Sequence, residues 1–166
     1  EMIGAIAGDI LGSTFEHSGI AKDVKATEIP LFPDGSTFTD DSVLTVATAF
    51  SLLTDADYAE NYRIFGRLYP LAGYGASFKQ WTIQADMGPY NSWGNGSAMR
   101  VSPVGWAFET AAEVLAAAEQ SAAVTHDHPE GIKGAQAVAL AVFMARKDES
   151  RAAIKAALTE QFGYDL

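Results

Sequence analysis

An all-α fold, packed as one compact domain, is what this sequence predicts, and three observations predict it. Apolar residues recur at three- and four-residue steps along most of the chain, strand-like alternation is nearly absent, and prolines and turn residues collect outside the periodic stretches. Ile3, Ile6, Ala7, Ile10, Leu11 and Phe15 trace a first amphipathic helix. Residues 20–38, with two prolines and a Pro33-Asp34-Gly35 turn, read as loop. Val43, Val46, Ala47, Phe50 and Leu53 trace the second helix, and weaker periodicity marks helices over 57–69 and 76–86. Thr110 and Glu113 form a capping box that opens an alanine-rich helix over 111–124. Pro129 suits the first position of the next helix, which carries Ile132, Ala135, Ala139 and Val142, and Ser150 caps a last one running to about Phe162.

The 166 residues, 48% hydrophobic and 19% charged, suit a single domain over 1–166, with no internal repeat or linker to divide it. Cysteine is absent, which excludes disulfides, thiolate metal sites and a cysteine nucleophile. A net charge of −10 would repel a phosphate backbone, so nucleic acid is not an expected partner. The longest apolar run, 137–145, is too short to span a bilayer. A soluble, cytoplasmic protein is the expectation.

Four constellations go beyond generic helix. Gly4, Gly8 and Gly12 lie four apart on the first helix, each at a cost of about 1 kcal/mol against alanine, and close helix packing is the simplest compensation. Asp9, Ser13, Glu16 and His17 make the opposite stripe polar, as a solvated face or as a cleft wall. Thr39-Asp40-Asp41-Ser42 opens the second helix. A helix cap with two acids at the positive dipole end explains it, and so does a hard-cation site built from oxygen donors. The run from Tyr90 to Arg100 contains Ser92, Trp93, Gly94, Asn95, Gly96 and Ser97 just before a helical stretch, where backbone N–H groups favour an anion; a simple turn is the plainer account. Trp93 suits either a stacked base or the core, and Arg100 suits an ion pair. In Thr125-His126-Asp127-His128-Pro129 the histidine spacing cannot place both rings on one helix face, so a helix cap plus a ligand-facing imidazole is preferred to zinc.

Taken in order, Gly4-Ala5-Ile6-Ala7-Gly8-Asp9-Ile10-Leu11-Gly12-Ser13, Phe38-Thr39-Asp40-Asp41-Ser42, Gly94-Asn95-Gly96-Ser97-Ala98-Met99-Arg100 and Thr125-His126 with the following Pro-Glu-Gly-Ile-Lys-Gly resemble the ADP-ribosylglycohydrolase family, which includes dinitrogenase-reductase-activating glycohydrolases and some lens crystallins. The resemblance implies an all-α fold and hydrolysis of the glycosidic bond joining ADP-ribose to a protein side chain, at a dinuclear Mg²⁺ or Mn²⁺ centre. By that likeness Thr39, Asp40 and Asp41 are metal ligands, and Glu16, Asp40 and Asp41 form the catalytic group. Ser92, Trp93, Gly94, Asn95, Gly96 and Ser97 hold phosphate and ribose, and His126 lines the cleft.

Family members are usually longer and bring a second acidic motif of the Asp-x-Asp-Thr type late in the chain. None follows His126 here, and Asp55-Ala56-Asp57 lies elsewhere and lacks the threonine. The expectation is therefore a short form, truncated at the C-terminus, whose metal shells are incomplete and whose turnover is impaired; a homo-oligomer is one way of completing them. A non-catalytic ADP-ribose-binding module and a structural protein keeping only the scaffold are the alternatives. Metal-dependent release of ADP-ribose, saturable binding without product, or neither, tells the three apart.

Overall fold

The computed structural model describes residues 2–16 and 30–166. Among the described residues there are nine helices and no strand: α1 (Ile3–Gly12), α2 (Asp40–Thr54), α3 (Tyr58–Leu68), α4 (Ala76–Ile83), α5 (Gly96–Met99), α6 (Val104–Ala107), α7 (Ala111–Ala123), α8 (Pro129–Arg146) and α9 (Arg151–Phe162). The all-α expectation is borne out. Of the expected loop over 20–38, residues 30–38 are irregular and the remainder lies outside the described residues, as does His17. No described helix is long and apolar enough to cross a membrane.

Helix starts follow local chemistry. Thr39, Asp57, Thr110, His128 and Ser150 each accept a hydrogen bond from a backbone N–H of the first turn they precede, removing one orphan donor apiece. The capping box at Thr110 and Glu113 is complete, and Pro129 occupies the first turn of α8. The helix expected over 76–86 ends instead at Ile83. There the guanidinium of Arg63 donates to the carbonyls of Trp81, Gln84 and Met87, while Arg67 donates to Thr82 O, so side chains of α3 satisfy carbonyls that a longer helix would have used.

Two apolar clusters form the interior. One is aromatic, with Val43, Leu44, Tyr62, Tyr74, Phe78 and Trp81 from α2, α3, α4 and the loop before α4. The other is built from small residues, with Val101, Val104, Val114, Ala117, Ala118, Ala122, Ala135 and Ala139 between α6, α7 and α8. A buried polar chain joins them: Thr48 Oγ1 lies 2.8 Å from the Tyr62 hydroxyl, which lies 2.8 Å from Ser121 Oγ. Satisfied hydrogen bonds of this kind fix relative helix positions more narrowly than apolar contact does.

The glycine stripe on α1 corrects an expectation. A Cβ built at Gly4, Gly8 or Gly12 would meet nothing within 4 Å, so among the described residues these glycines serve no close helix packing. The tight approach lies elsewhere: a Cβ at Gly105 would stand 2.8 Å from Ala139 O and 2.7 Å from Val142 Cγ1, because α6 rests directly on the backbone of α8.

The contrast is measurable by chemical denaturation. Gly105→Ala is expected to lose about 1–3 kcal/mol by overpacking against backbone that cannot move aside. Gly8→Ala should gain up to about 1 kcal/mol, since the new methyl has space and alanine is the better helix former.

Candidate active site

The first half of the site is assembled around Asp9 of α1. Its Oδ2 accepts from Thr39 N at 2.8 Å and Ser42 N at 3.1 Å, and its Oδ1 accepts from Thr39 Oγ1 at 2.5 Å. Thr39 Oγ1 in turn accepts from Asp41 N at 3.3 Å. An anion from one helix thus caps the positive end of another, and the pair of caps fixes how α1 meets α2. Asp40 N donates to Ala72 O at 2.7 Å, which ties the same turn to the segment before α4.

These contacts crowd the acids. Asp9, Glu16 and Asp41 each offer a carboxylate oxygen, and the three oxygens lie within 4.8 Å of one another. Burial, followed by the charges of Asp9, Asp40 and Glu16, pushes the Asp41 carboxyl up to about 6. Burial also raises Asp40, helped by Glu16 and Asp9 and opposed by its backbone hydrogen bond and by Lys79. Asp40 diverges from this cluster. Its Oδ1 lies 3.2 Å from where a Cβ of Gly73 would stand, and its side chain lines a pocket of about 240 Å³.

The far side of that pocket is the second half of the site. Tyr90, Ser92, Gly94, Asn95, Gly96, Arg100 and His126 line it. The loop before α5 is stitched to the start of α8: Tyr90 N donates to Thr125 O at 3.4 Å, Asn91 N to Asp127 Oδ1 at 2.7 Å, and Ser97 Oγ to Gly131 O at 2.8 Å. A Cβ at Gly131 would stand 2.6 Å from Ser92 O, so glycine is needed for α8 to approach the loop. His126 is buried, with Nδ1 2.8 Å from Thr125 Oγ1 and its ring 6.0 Å from that of Tyr90. Burial and then the Arg100 cation, against Asp127, lower its pKa to about 4.

The structure therefore brings Asp40, Ser92, Gly94, Asn95, Gly96 and His126 to one pocket, and gathers Asp41 and Glu16 next to Thr39 and Asp9. Other expected residues stand apart. Ser97 is fully buried with its hydroxyl on Gly131, and Trp93 is 74% exposed, over a shallow depression it shares with Ser92 and Gly94. Its ring neighbours that of His128, whose Nδ1 caps α8 by accepting from Glu130 N, so the two histidines of the 126–128 segment have separate jobs. The helix after the glycines is a single turn, which leaves little macrodipole to attract an anion.

Arg100 makes no ion pair among the described residues. It is fully buried, donates to Ser121 O and Thr125 Oγ1, and lies 4.0 Å over the Tyr62 ring. Asp9, which the sequence placed on a polar stripe and within the first motif but without a role in the site, is the residue it undervalued; a carboxylate one turn before Ser13 was the available signal.

A family model for ADP-ribosylglycohydrolases matches residues 2–164. The chain belongs to the ADP-ribosylglycohydrolase family. Among the relatives of this family member, ADP-ribosylhydrolase ARH3 of Danio rerio is 30% identical over 169 residues, which cover 86% of this chain and 46% of that protein. ADP-ribosylhydrolase ARH3 of Homo sapiens is 29% identical over 180 residues, covering 90% and 50%. The chain spans about half the length of the curated relatives it matches.

For this family member the carboxylate set at Asp9, Glu16 and Asp41 is all oxygen, which suits a hard divalent cation rather than a soft one. A raised Asp41 marks the cost of ionising it here, set first by burial and then by the neighbouring acids.

That cost has a sign that can be checked. The folded-state carboxyl of Asp41 titrates at about 6, above its ordinary value of 3.8, so the penalty is fully present above pH 6 and gone below about 3.8. Asp41→Asn should therefore raise metal-free stability at pH 7.5 by about 1 kcal/mol, allowing for solvent screening of a half-buried group. The gain should vanish as pH falls towards 4. Urea denaturation in chelator at both pH values measures it, and a loss of stability at pH 7.5 would mean that Asp41 acts there mainly as a helix-dipole partner.

Proposed function

We propose that this chain binds ADP-ribose in the pocket between Asp40 and the loop of residues 94–96, and that its reaction is hydrolysis of the glycosidic bond between ADP-ribose and a protein side chain, impaired in the chain by itself. The observation that carries the reading is the shared cavity: Asp40, next to the acidic cluster, and Gly94, Asn95, Gly96 and His126, from distant parts of the chain, line one space. The half-length match to the ADP-ribosylhydrolases is the second support.

In this reading Ser92, Gly94, Asn95 and Gly96 receive phosphate and ribose through backbone N–H groups and small side chains, with Trp93 at the mouth. The scissile end lies towards Asp40, Asp41 and Glu16. Cleavage at the anomeric carbon passes through an oxocarbenium-like state, and Glu16 is assigned as the acidic residue near the bond, handling the proton of the attacking water or the departing group. Asp41 and Glu16, with Thr39 through its remaining lone pair, would hold Mg²⁺ or Mn²⁺, which when bound orients the ribose hydroxyls and offsets the charge of the acids. Asp9 spends three acceptor positions on Thr39 and Ser42, so its part is to anchor this turn.

The described residues supply one such cluster, and hexacoordinate ions need more oxygen than it offers. Binding should accordingly outlast turnover in the isolated chain. We expect saturable ADP-ribose binding by calorimetry and little release of ADP-ribose from modified protein with either Mg²⁺ or Mn²⁺. Robust hydrolysis by a monomer would overturn this expectation and make Asp9 a ligand as well.

The pocket itself is tested by Gly96→Val. A Cβ there would already stand 3.0 Å from His126 Nε2, so the branched side chain should abolish ADP-ribose binding while leaving helicity unchanged. Unaltered affinity would reduce the loop to a turn.

A further inference from the structure

His126 turns one ring nitrogen to the interior and the other to the pocket, and the interior side fixes the chemistry of the pocket side. Nδ1 lies 2.8 Å from Thr125 Oγ1. Thr125 is fully buried, so its hydroxyl proton needs an acceptor within the protein. Arg100 cannot be that acceptor. Its guanidinium carries only donors, and Nη2 at 3.0 Å gives a hydrogen to the same oxygen. Arg100 thus fills a lone pair of the threonine oxygen, and among the described residues the other hydrogen-bond partner of that oxygen is Nδ1. Its single proton is left for Nδ1, and a neutral imidazole that accepts at Nδ1 carries its hydrogen on Nε2.

Nε2 stands beside Gly96, 3.0 Å from the place of a Cβ, on the wall of the pocket. Among the described residues no hydrogen bond closes on it. We infer that Arg100 and Thr125 are positioning residues that lock His126 in its Nε2–H tautomer, so that it presents a fixed, uncharged hydrogen-bond donor to an oxygen atom of the bound ligand. The charged and titratable groups around the ring agree. Arg100 and burial oppose an imidazolium, Asp127 favours it, Tyr90 is neutral below its raised pKa, and Asp40 faces the same pocket. With the ring neutral down to about 4, His126 is not an acid at neutral pH. The identity of the ligand as ADP-ribose rests on the function proposed above; the tautomer does not.

The test reads the imidazole nitrogens of the full chain by long-range ¹⁵N correlation without ligand, with His17 and His128 as internal comparators. From pH 5.5 to 8, His126 should show a protonated Nε2 and a bare Nδ1 throughout. An Nδ1–H tautomer, a mixture, or titration near 6.5 would overturn the inference, whatever any variant does. Thr125→Val, which keeps shape and removes the hydroxyl, should give a mixed tautomer and weaken ADP-ribose binding about tenfold, and Thr125→Ser should restore both. An unchanged tautomer in folded Thr125→Val would equally sink it. If the wild-type ring shows the Nε2–H signature yet the chain fails to bind ADP-ribose, the ligand proposal falls and the lock stands.

Discussion

A cation is buried at the junction of the two apolar clusters, and the arrangement around it rests on the few partners that cation has: Nη2 is hydrogen-bonded, while Nε and Nη1 are buried without a hydrogen-bond partner. Arg100 has no carboxylate partner among the described residues; it has the Ser121 carbonyl, the Thr125 hydroxyl and the face of Tyr62. A guanidinium tolerates this better than an ammonium would, because it is planar, weakly hydrated and able to stack. The consequence is geometric. To serve Arg100, the end of α7 and the middle of α3 must hold fixed positions, and Tyr62 is fixed again by Thr48 and Ser121. His126 follows directly after Thr125, so the pocket wall inherits its place from the buried charge.

The two halves of the site are held by different physics. At the acidic end, like charges are drawn together by capping: Asp9 satisfies backbone donors of α2, and burial, with the neighbouring acids adding to it, raises the carboxyls of Asp40 and Asp41. At the glycine end the loop is tacked to the start of α8 by neutral hydrogen bonds, by one to the Asp127 carboxylate, and by the absence of a side chain at Gly131. A site built this way is soft electrostatically at one end and rigid sterically at the other. That division suits a ligand whose one end is to be held and whose other end is to react.

What could be read from the sequence was mostly what is local. The caps at Thr110 and Ser150 and the first-turn Pro129 depend on residues within one turn, and the structure has them where the spacing put them. The helix expected to reach residue 86 stops at Ile83 because Arg63, far away in sequence, supplies the donors that its last carbonyls needed. The glycines of α1 were rightly marked as costly, yet cost alone does not say which neighbour benefits, and none lies within reach of Gly4, Gly8 or Gly12. Within the site, motif order brought Asp40, the loop of residues 94–96 and His126 together, but side-chain direction over a single helical turn was not legible. Ser97 points inward and Trp93 outward, although they flank the same glycines. Asp9 was visible only as one carboxylate in a stripe, since its worth comes from backbone donors thirty and more residues away.

The seam beneath the pocket is made of alanine. Ala117, Ala118, Ala122, Ala135 and Ala139 supply most of the buried apolar residues between α7 and α8, with Val114 beside them and Ile132 and Phe143 packed against the cluster. Alanine gives up no rotamer entropy on burial, and it offers no rotamer by which a neighbour's change could be absorbed. The separation of the two backbones is thus closely set, and the segment carrying Thr125 and His126 links them. Sequence drift at the rim of such a pocket would alter what it prefers to hold. In its foundation the tolerance is narrower, because a methylene added at the fully buried Ala118, Ala122, Ala135 or Ala139 has to be met by repacking of α7 against α8.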